Sequence, residues 1–224
     1  MFTPDIAINI KRAAVAFVPM LLGIVCHEVA HGWVAWRRGD NTARFLGRLT
    51  LNPVPHLDPA GTLVFILTAL TSPFMLGWAK PVPVNPRHFS KPARDMMLVS
   101  LAGPAANMLL AVLFALSFKL LTVLLPPDVW HENTVYEFFV RMLGVGVWIN
   151  VTLAWFNLLP VPPLDGSHVL TYFLPPRIAY QYHKVERFGM VILLALFVTG
   201  LVGPILHPLI EGTVDLISTL TGIA

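Results

Sequence analysis

Long apolar stretches are the feature that most limits what this chain can fold into. Four of them, at about 8–36, 97–125, 135–158 and 187–206, approach or exceed the roughly 20 residues that a helix needs to cross a bilayer. Of the 224 residues, 56% are hydrophobic and only 12% are charged, which is about half the charged share of an ordinary soluble domain. The sequence therefore predicts an all-α polytopic membrane protein, with residues 1–224 forming a single membrane-embedded domain.

The loops between these stretches differ in charge, and the difference predicts which side each loop faces. Loops 37–59, 78–96 and 160–187 are rich in Lys and Arg, whereas 126–134 contains two carboxylates and neither basic residue. Because cytoplasmic loops carry the excess of Lys and Arg, we expect the first three in the cytoplasm and the fourth outside. The net charge of +3 is spread over these loops, without the basic block that nucleic-acid binding requires.

Shorter features are predicted between the first two stretches. The apolar segment 60–76 is flanked by basic loops on both sides, so we expect it to enter the membrane and return, or to pack as a short helix. An ordinary short transmembrane helix is the alternative. Residues 44–51 alternate roughly between apolar and polar, and 80–85 contain prolines, so both are expected to be extended or β elements.

The pentapeptide His27-Glu28-Val29-Ala30-His31 lies inside the first apolar stretch. Two imidazoles four residues apart share one helical face, so both can reach a single metal ion. Glu28 points about 100° away around the helix, where it can hold a metal-bound water. Ionisable groups are costly at membrane depth and usually mark function there, so we interpret the motif as a metal site.

The two-histidine motif needs a third ligand, because a catalytic zinc ion takes three protein ligands and an open position for water. Asp165 is the best candidate. It follows a helix that three prolines end, and Gly166 permits close backbone approach. An Asp-Gly pair after prolines is often a plain turn. The loop charges, however, bring Asp165 to the same side of the membrane as His27 and His31, which favours the metal interpretation.

Three motifs together resemble the site-2 protease family of intramembrane zinc metalloproteases (peptidase family M50). They are HEVAH at 27–31, SLAGPAANM at 100–108 and NLLPVPPLDG at 157–166. The stretches NPVPHLDPAG at 52–61 and GWAKPVPVNP at 77–86 are similar to those of the compact prokaryotic branch, which lacks PDZ and CBS domains.

The resemblance covers about 23–168. It implies a three-helix catalytic core formed by the first three apolar stretches, with the fourth as a C-terminal transmembrane helix. It also implies one zinc ion held by His27, His31 and Asp165, with Glu28 as the catalytic base.

The activity that the resemblance implies is hydrolysis of peptide bonds in or near transmembrane segments of membrane proteins. Substrates would be single-pass proteins in the lipid bilayer, and the protein would lie in the cell membrane with its site toward the cytoplasm. The alternative is a non-proteolytic zinc-binding membrane scaffold or a metal carrier. A carrier should line a path through the membrane with ionisable residues, and the spans offer few outside the proposed site.

Further polar residues lie near the predicted site, and their roles stay open. Asn157 could donate to the oxyanion of a tetrahedral intermediate, or it could satisfy the backbone where its helix ends. Asn107 is expected to hydrogen-bond across the helical core. For His56 and Asp58 a turn is favoured over a substrate contact. His168 could be a partner of the carboxylate three residues earlier, or a histidine at the membrane interface.

Overall fold

The computed structural model describes residues 6–71, 77–125 and 133–223. Most of these residues are helical, and the described part contains no strand, which confirms the all-α prediction. Short 3₁₀ turns lie at Val54–His56 and Pro86–His88. In chain order the helices are α1 (Ile6–Arg37), α2 (Thr42–Phe45), α3 (Pro59–Thr71), α4 (Pro92–Leu124), α5 (Thr134–Asn157), α6 (Asp165–Phe173), α7 (Pro176–Glu186), α8 (Gly189–Val198) and α9 (Val202–Thr221).

Helices α1, α4 and α5 are long and apolar enough to cross a membrane, and they pack against one another as the core. Their bounds agree with the first three predicted stretches to within about five residues. Local sequence explains where two of them begin. Pro92 starts α4, where a missing N–H costs nothing. The side chain of Asn133 caps α5 by accepting from the N–H groups of Val135 and Tyr136.

The surfaces of these helices divide into a packed side and an apolar outer side. Phe114 of α4 lies in a buried cluster with Val151 of α5 and Leu206 of α9. On the outer side of α4, by contrast, Leu109 and Leu120 are more than half exposed. A continuous apolar exterior of this kind is costly in water and favourable against lipid, so the exterior fits a membrane protein.

Helix α3 is too short to cross a membrane by itself. Its 13 residues span about 20 Å, whereas the hydrocarbon core is about 30 Å thick. It runs antiparallel along α1, with the Phe65 ring 6.3 Å from that of Phe17 and the Leu70 carbonyl accepting from the Asn9 amide at 3.0 Å.

The two ends of the predicted segment 60–76 lie side by side. The N–H of Lys80 donates to the carbonyl of His56 at 2.8 Å, and Leu57 pairs with Ala79 in an antiparallel bridge. The chain that leaves at α3 therefore comes back to its starting point, although residues 72–76 lie outside the described part. This arrangement favours the re-entrant interpretation over a single crossing.

The strand predicted at 44–51 is wrong. Thr42 donates to the Asp40 carboxylate through both its N–H and its hydroxyl, which starts the short helix α2. Gly47 then adopts a φ of +66°, a left-handed conformation that a strand excludes. Residues 80–85 are extended as predicted but join no strand ladder in the part of the chain that the structure describes.

The single C-terminal helix predicted at 187–206 is also wrong. Two helices, α8 and α9, meet at an angle of 82°, and they count as a fourth candidate span only if taken together. The break lies at Gly200, whose φ of +71° ends α8. Pro204 is accommodated in the first turn of α9. Apolar runs alone did not reveal this break.

Candidate metal centre

Three side chains from two helices converge at the centre of the molecule. His27 and His31 lie one turn apart on α1, and Asp165 is the first residue of α6. Oδ2 of Asp165 lies 3.1 Å from Nε2 of His27 and 3.3 Å from Nε2 of His31. All three atoms lie within 4.8 Å of one another, close enough to share one ion. The structure therefore brings together the three residues that the sequence predicts as ligands.

The other nitrogen of each imidazole is held by α4. Nδ1 of His27 lies 2.7 Å from Oδ1 of Asn107, and Nδ1 of His31 lies 2.7 Å from the Val99 carbonyl. Both partners are acceptors, so each ring carries its proton on Nδ1 and presents a bare Nε2 lone pair toward Asp165. Outer hydrogen bonds of this kind fix the tautomer and orientation of metal-ligating histidines.

The Asp165 carboxylate itself indicates that a cation belongs here. Its Oδ2 is buried and has no hydrogen-bond partner. It faces two imidazole lone pairs, so three electron-rich atoms point at one small volume. Such an arrangement is unfavourable unless a cation lies among the three atoms. Two imidazole nitrogens and a carboxylate oxygen are the donors that zinc uses in catalytic sites with one open position.

The charge of Asp165 is consistent with a ligand role. Burial alone would raise the pKa of this carboxyl group, but positive charge at the Nε2 atoms of His27 and His31, as when a proton takes the place of the metal ion, outweighs it and lowers the pKa to about 2. Asp165 is therefore an anion at neutral pH. Close backbone packing sets its position, because a Cβ on Gly166 would lie 2.1 Å from the carbonyl of Leu158. This agrees with the close approach predicted at Gly166.

Gly103 of α4 leaves the space that the two imidazoles occupy. A Cβ at this position would lie 2.6 Å from Cε1 of both His27 and His31. Real side chains do not tolerate that separation, so only glycine fits here without moving the rings. Gly103 lies in the motif SLAGPAANM at 100–108, whose small residues let helices approach closely. The structure shows that the gap accommodates the candidate ligands.

A buried amide network joins the site to the rest of the core. Nδ2 of Asn107 donates to the Gly23 carbonyl and to Oδ1 of Asn150, each at 3.0 Å. Asn150 in turn donates to the Gly146 carbonyl. Both asparagines are fully buried. The predicted bond from Asn107 across the core is present, but the part played by Asn150 was missed. The available signal was an amide in the middle of the apolar helix α5.

Glu28 is held by the extended segment that follows the 60–76 excursion. Its Oε2 accepts a hydrogen bond from the N–H of Val82 at 2.6 Å. Pro81 and Pro83 have no N–H, so Val82 is the one donor in that tripeptide. Within the described residues, Oε1 of Glu28 has no hydrogen-bond partner. One carboxylate oxygen is thus fixed, and the other remains available.

Two residues with open roles have local partners in the structure. Nδ2 of Asn157 donates to the Leu153 carbonyl of its own helix at 2.9 Å. In the described part of the chain no hydrogen bond joins His168 to Asp165. Burial lowers the pKa of His168, so this ring is neutral at pH 7. A catalytic role for Asn157 stays a prediction.

The other pair, His56 and Asp58, lies in the turn before α3. Oδ1 of Asp58 accepts from the Gly61 N–H at 2.8 Å, a typical contact at the start of a helix. His56 is 1% exposed, and its Nε2 lies 2.9 Å from the Thr50 carbonyl. These contacts are those of the favoured turn interpretation.

Comparison with known proteins agrees with this geometry. The sequence pattern described as Peptidase family M50 matches residues 122–200. The "Putative zinc metalloprotease YwhC" of Bacillus subtilis is 36% identical over 203 residues, which cover 91% of this chain and 89% of that protein. The "Putative zinc metalloprotease Rip2" of Mycobacterium tuberculosis is 31% identical over 206 residues, 91% of this chain and 73% of that protein. No solved structure matches the chain. The chain therefore belongs to peptidase family M50, the site-2 protease family.

Proposed function

We propose that this membrane metalloprotease hydrolyses peptide bonds in or near transmembrane segments of other membrane proteins, using one zinc ion per chain. The observation that carries the proposal is the unpartnered Asp165 carboxylate facing the Nε2 atoms of His27 and His31. Such a ligand set, buried among apolar helices, serves chemistry on a substrate that is itself in the membrane.

The residues around the ion divide the work. His27, His31 and Asp165 hold the zinc, which when bound supplies Lewis-acid activation of water and of the scissile carbonyl. Glu28 takes a proton from the attacking water and passes it to the leaving amine. Since Val82 fixes Oε2, Oε1 is the oxygen that carries this proton.

Asn157 has a second role in the proposal. Its amide would donate to the developing oxyanion, which requires it to release the Leu153 carbonyl that it now contacts. Such an exchange is feasible at the last residue of α5, where the helix ends and the side chain is only half-buried.

The expected substrates are single-pass proteins, and the expected location is the cell membrane with the site toward the cytoplasm. Support for the orientation comes from the basic loops that flank the site in the sequence. A helical substrate hides its carbonyls in backbone hydrogen bonds, so it must unwind locally before cleavage.

A membrane proteome tests this function. Cells carrying Glu28→Gln should accumulate uncut single-pass proteins, because Gln retains an acceptor for the Val82 N–H but takes no proton. Loss of general-base catalysis of this kind lowers rates by about 10²–10⁴-fold. Glu137→Gln is the matched control, since Glu137 is paired with Arg141 at the other end of α5.

The zinc content of the purified proteins completes the test. Glu28→Gln should keep its zinc, because Glu28 is not among the proposed ligands. If the membrane proteome is unchanged and zinc is retained, proteolysis is refuted. The alternative of a non-proteolytic zinc-binding scaffold is then supported.

A further inference from the structure

A partly open apolar cavity of about 50 Å³ lies between α1, α3 and the chain at 77–79. Leu21 and Ile24 form its α1 wall, Phe65 its α3 wall, and Trp78 and His56 contribute from the loops. That volume is below the range of small-ligand sites, but it holds the few heavy atoms of one side chain. Nothing in the mechanism above uses this cavity.

The cavity lies on the same face of α1 as the proposed base. Phe17, Leu21, Ile24 and Glu28 follow the helical spacing that places residues on one side. Ile24 is thus one turn from Glu28 along that face. The chain at 77–79 that closes the cavity continues to Val82, whose N–H binds Glu28. The cavity and the proposed site are therefore neighbours along two separate segments.

One polar atom in the wall lacks a partner. Nε2 of His56 contacts the Thr50 carbonyl, so the ring proton is on Nε2 and Nδ1 is an acceptor. This Nδ1 is buried without a hydrogen-bond partner. Because that atom is shielded, it does not select the occupant; the accessible lining is apolar, so the cavity suits an apolar group.

We propose that the cavity receives a large apolar side chain of the substrate and so selects where the substrate is cut; this rests on the proposed function. An unwound segment bound at the proposed site places its apolar side chains beside Glu28 and next to this apolar wall, which favours a substrate side chain as the occupant. Trp78 and Leu57 are 53% and 44% exposed at the cavity, so a side chain can enter beside them.

Photocrosslinking tests binding separately from cleavage. The probe is a synthetic Leu/Ala transmembrane peptide with benzoylphenylalanine at successive positions, added to the full-length Glu28→Gln protein in detergent micelles. Crosslinks should map to Ile24, Phe65 or their neighbours in the wall. Ile24→Phe should lower the yield about tenfold or more, because hydrophobic pockets discriminate by size to this degree. Its larger ring leans toward the helix N-terminus, into the cavity.

Leu22→Phe is the matched control, because Leu22 is 43% exposed and points about 200° around α1 from Ile24. Thr62→Leu, which fills the cavity from α3, guards against a folding defect in the first variant. Equal yields in Ile24→Phe, Thr62→Leu and Leu22→Phe would overturn the proposal. So would a photoreactive phospholipid that labels the same wall and that the peptide does not displace.

Cleavage sites provide the second readout, in cells with an active Glu28. Ile24→Phe should shift the residues next to the cut bond toward Ala, Gly and Ser, and Leu22→Phe should leave them unchanged. Crosslinks without any cleavage would refute the protease and keep the cavity as a peptide site. Cleavage without crosslinks in the cavity would refute the cavity as a peptide site and keep the protease.

Discussion

At the scale of single residues, Asn107 and Gly103 decide whether the candidate ligands are in place. Asn107 orients His27 through its carbonyl oxygen and binds two other helices through its nitrogen. Gly103 contributes only the space that a side chain would fill. In the proposed function neither residue contacts the zinc ion, but both position the histidines that bind it. The sequence predicted a hydrogen bond from Asn107 across the core, but not the imidazole rings that Asn107 and Gly103 position.

Asn107→Ala should lower zinc affinity about 10- to 100-fold, as is typical when the outer partner of a ligand is removed. The reason is that Nδ1 of His27 loses its acceptor and the ring is no longer held. Competition with a chelator in detergent measures the effect. Ser117→Ala on the same helix is the control, since the Ser117 hydroxyl donates to the Leu113 carbonyl of its own helix. Equal affinities in the two variants would contradict the assigned role.

Gly103→Ala should separate helix stability from metal binding. Alanine favours a helix over glycine by about 1 kcal/mol, but its Cβ would lie 2.6 Å from both imidazoles. We expect loss of bound zinc with the helical content retained, measured by metal analysis and circular dichroism. Gly144→Ala is the control, because its Cβ would lie 3.5 Å from the Phe118 ring, an ordinary contact. Zinc retained in Gly103→Ala would refute the assignment.

At the scale of elements, apolar runs predicted the long helices and failed where backbone geometry or a side-chain bond intervened. Helices α1, α4 and α5 follow from length and hydropathy alone. The strand at 44–51 failed because Asp40 starts a helix at Thr42. The C-terminal helix failed because Gly200 takes a left-handed conformation. A pattern of apolar residues does not predict the helix at Thr42 or the break at Gly200, because each depends on a single polar or small residue.

Gly200→Ala should destabilise the corner between α8 and α9. An alanine pays roughly 1–2 kcal/mol to adopt the left-handed φ of +71°. Thermal unfolding in detergent measures the loss as a lower Tm. Gly203→Ala, three residues on, meets nothing within 4 Å and has an ordinary helical backbone, so it should be neutral or stabilising. Matching Tm values for the two variants would argue against a strained corner.

Acid should loosen the connection between α1 and the 3₁₀ turn at Pro86–His88. Asp40 accepts from the N–H of Asn85, from Thr42 and from His88. Burial alone would raise the pKa of Asp40, but these hydrogen bonds outweigh it and lower the pKa below 3.8. The stabilisation is therefore complete above pH 3.8 and is lost as the pH falls through the lowered pKa.

Hydrogen exchange across residues 85–89 measures this acid effect. Protection should fall at acid pH in the wild type. Asp40→Asn should show low protection at every pH, because its amide cannot accept all of these bonds. Acid-induced loss of the same size in Asp40→Asn would assign the effect to another group.

At the scale of the whole molecule, the topology predicted from loop charge agrees with one hydrogen bond. The charges predicted that both ends of 60–76 face the same side, and the bond from Lys80 to His56 brings those ends together. Three-dimensional details of the site depend on contacts between residues 80 to 138 positions apart, such as His27 with Asn107 and with Asp165. Composition and periodicity act over a few turns, so they cannot predict such pairings. Motif spacing and loop charge predicted the ligand set instead, and the family resemblance implied the same three residues.

Cysteine labelling tests the topology. In a Cys26→Ala background, Thr50→Cys and Arg87→Cys should react from the same side of the membrane. His131→Cys, in the loop predicted to face outside, should react from the other side. Labelling of Thr50→Cys and Arg87→Cys from opposite sides would mean that 60–76 crosses.

The amide network of Asn107 and Asn150 also links the geometry of the proposed site to the assembly of the helices. A protease that is synthesised among other membrane helices could damage its neighbours before it has matured. Here the ring of His27 gains its holding partner only when α1, α4 and α5 have met, because Asn107 binds all three at once. The newly inserted chain therefore has the full motif but not the fixed geometry. In the proposed function, the zinc site would therefore reach its final geometry only once the three helices have assembled.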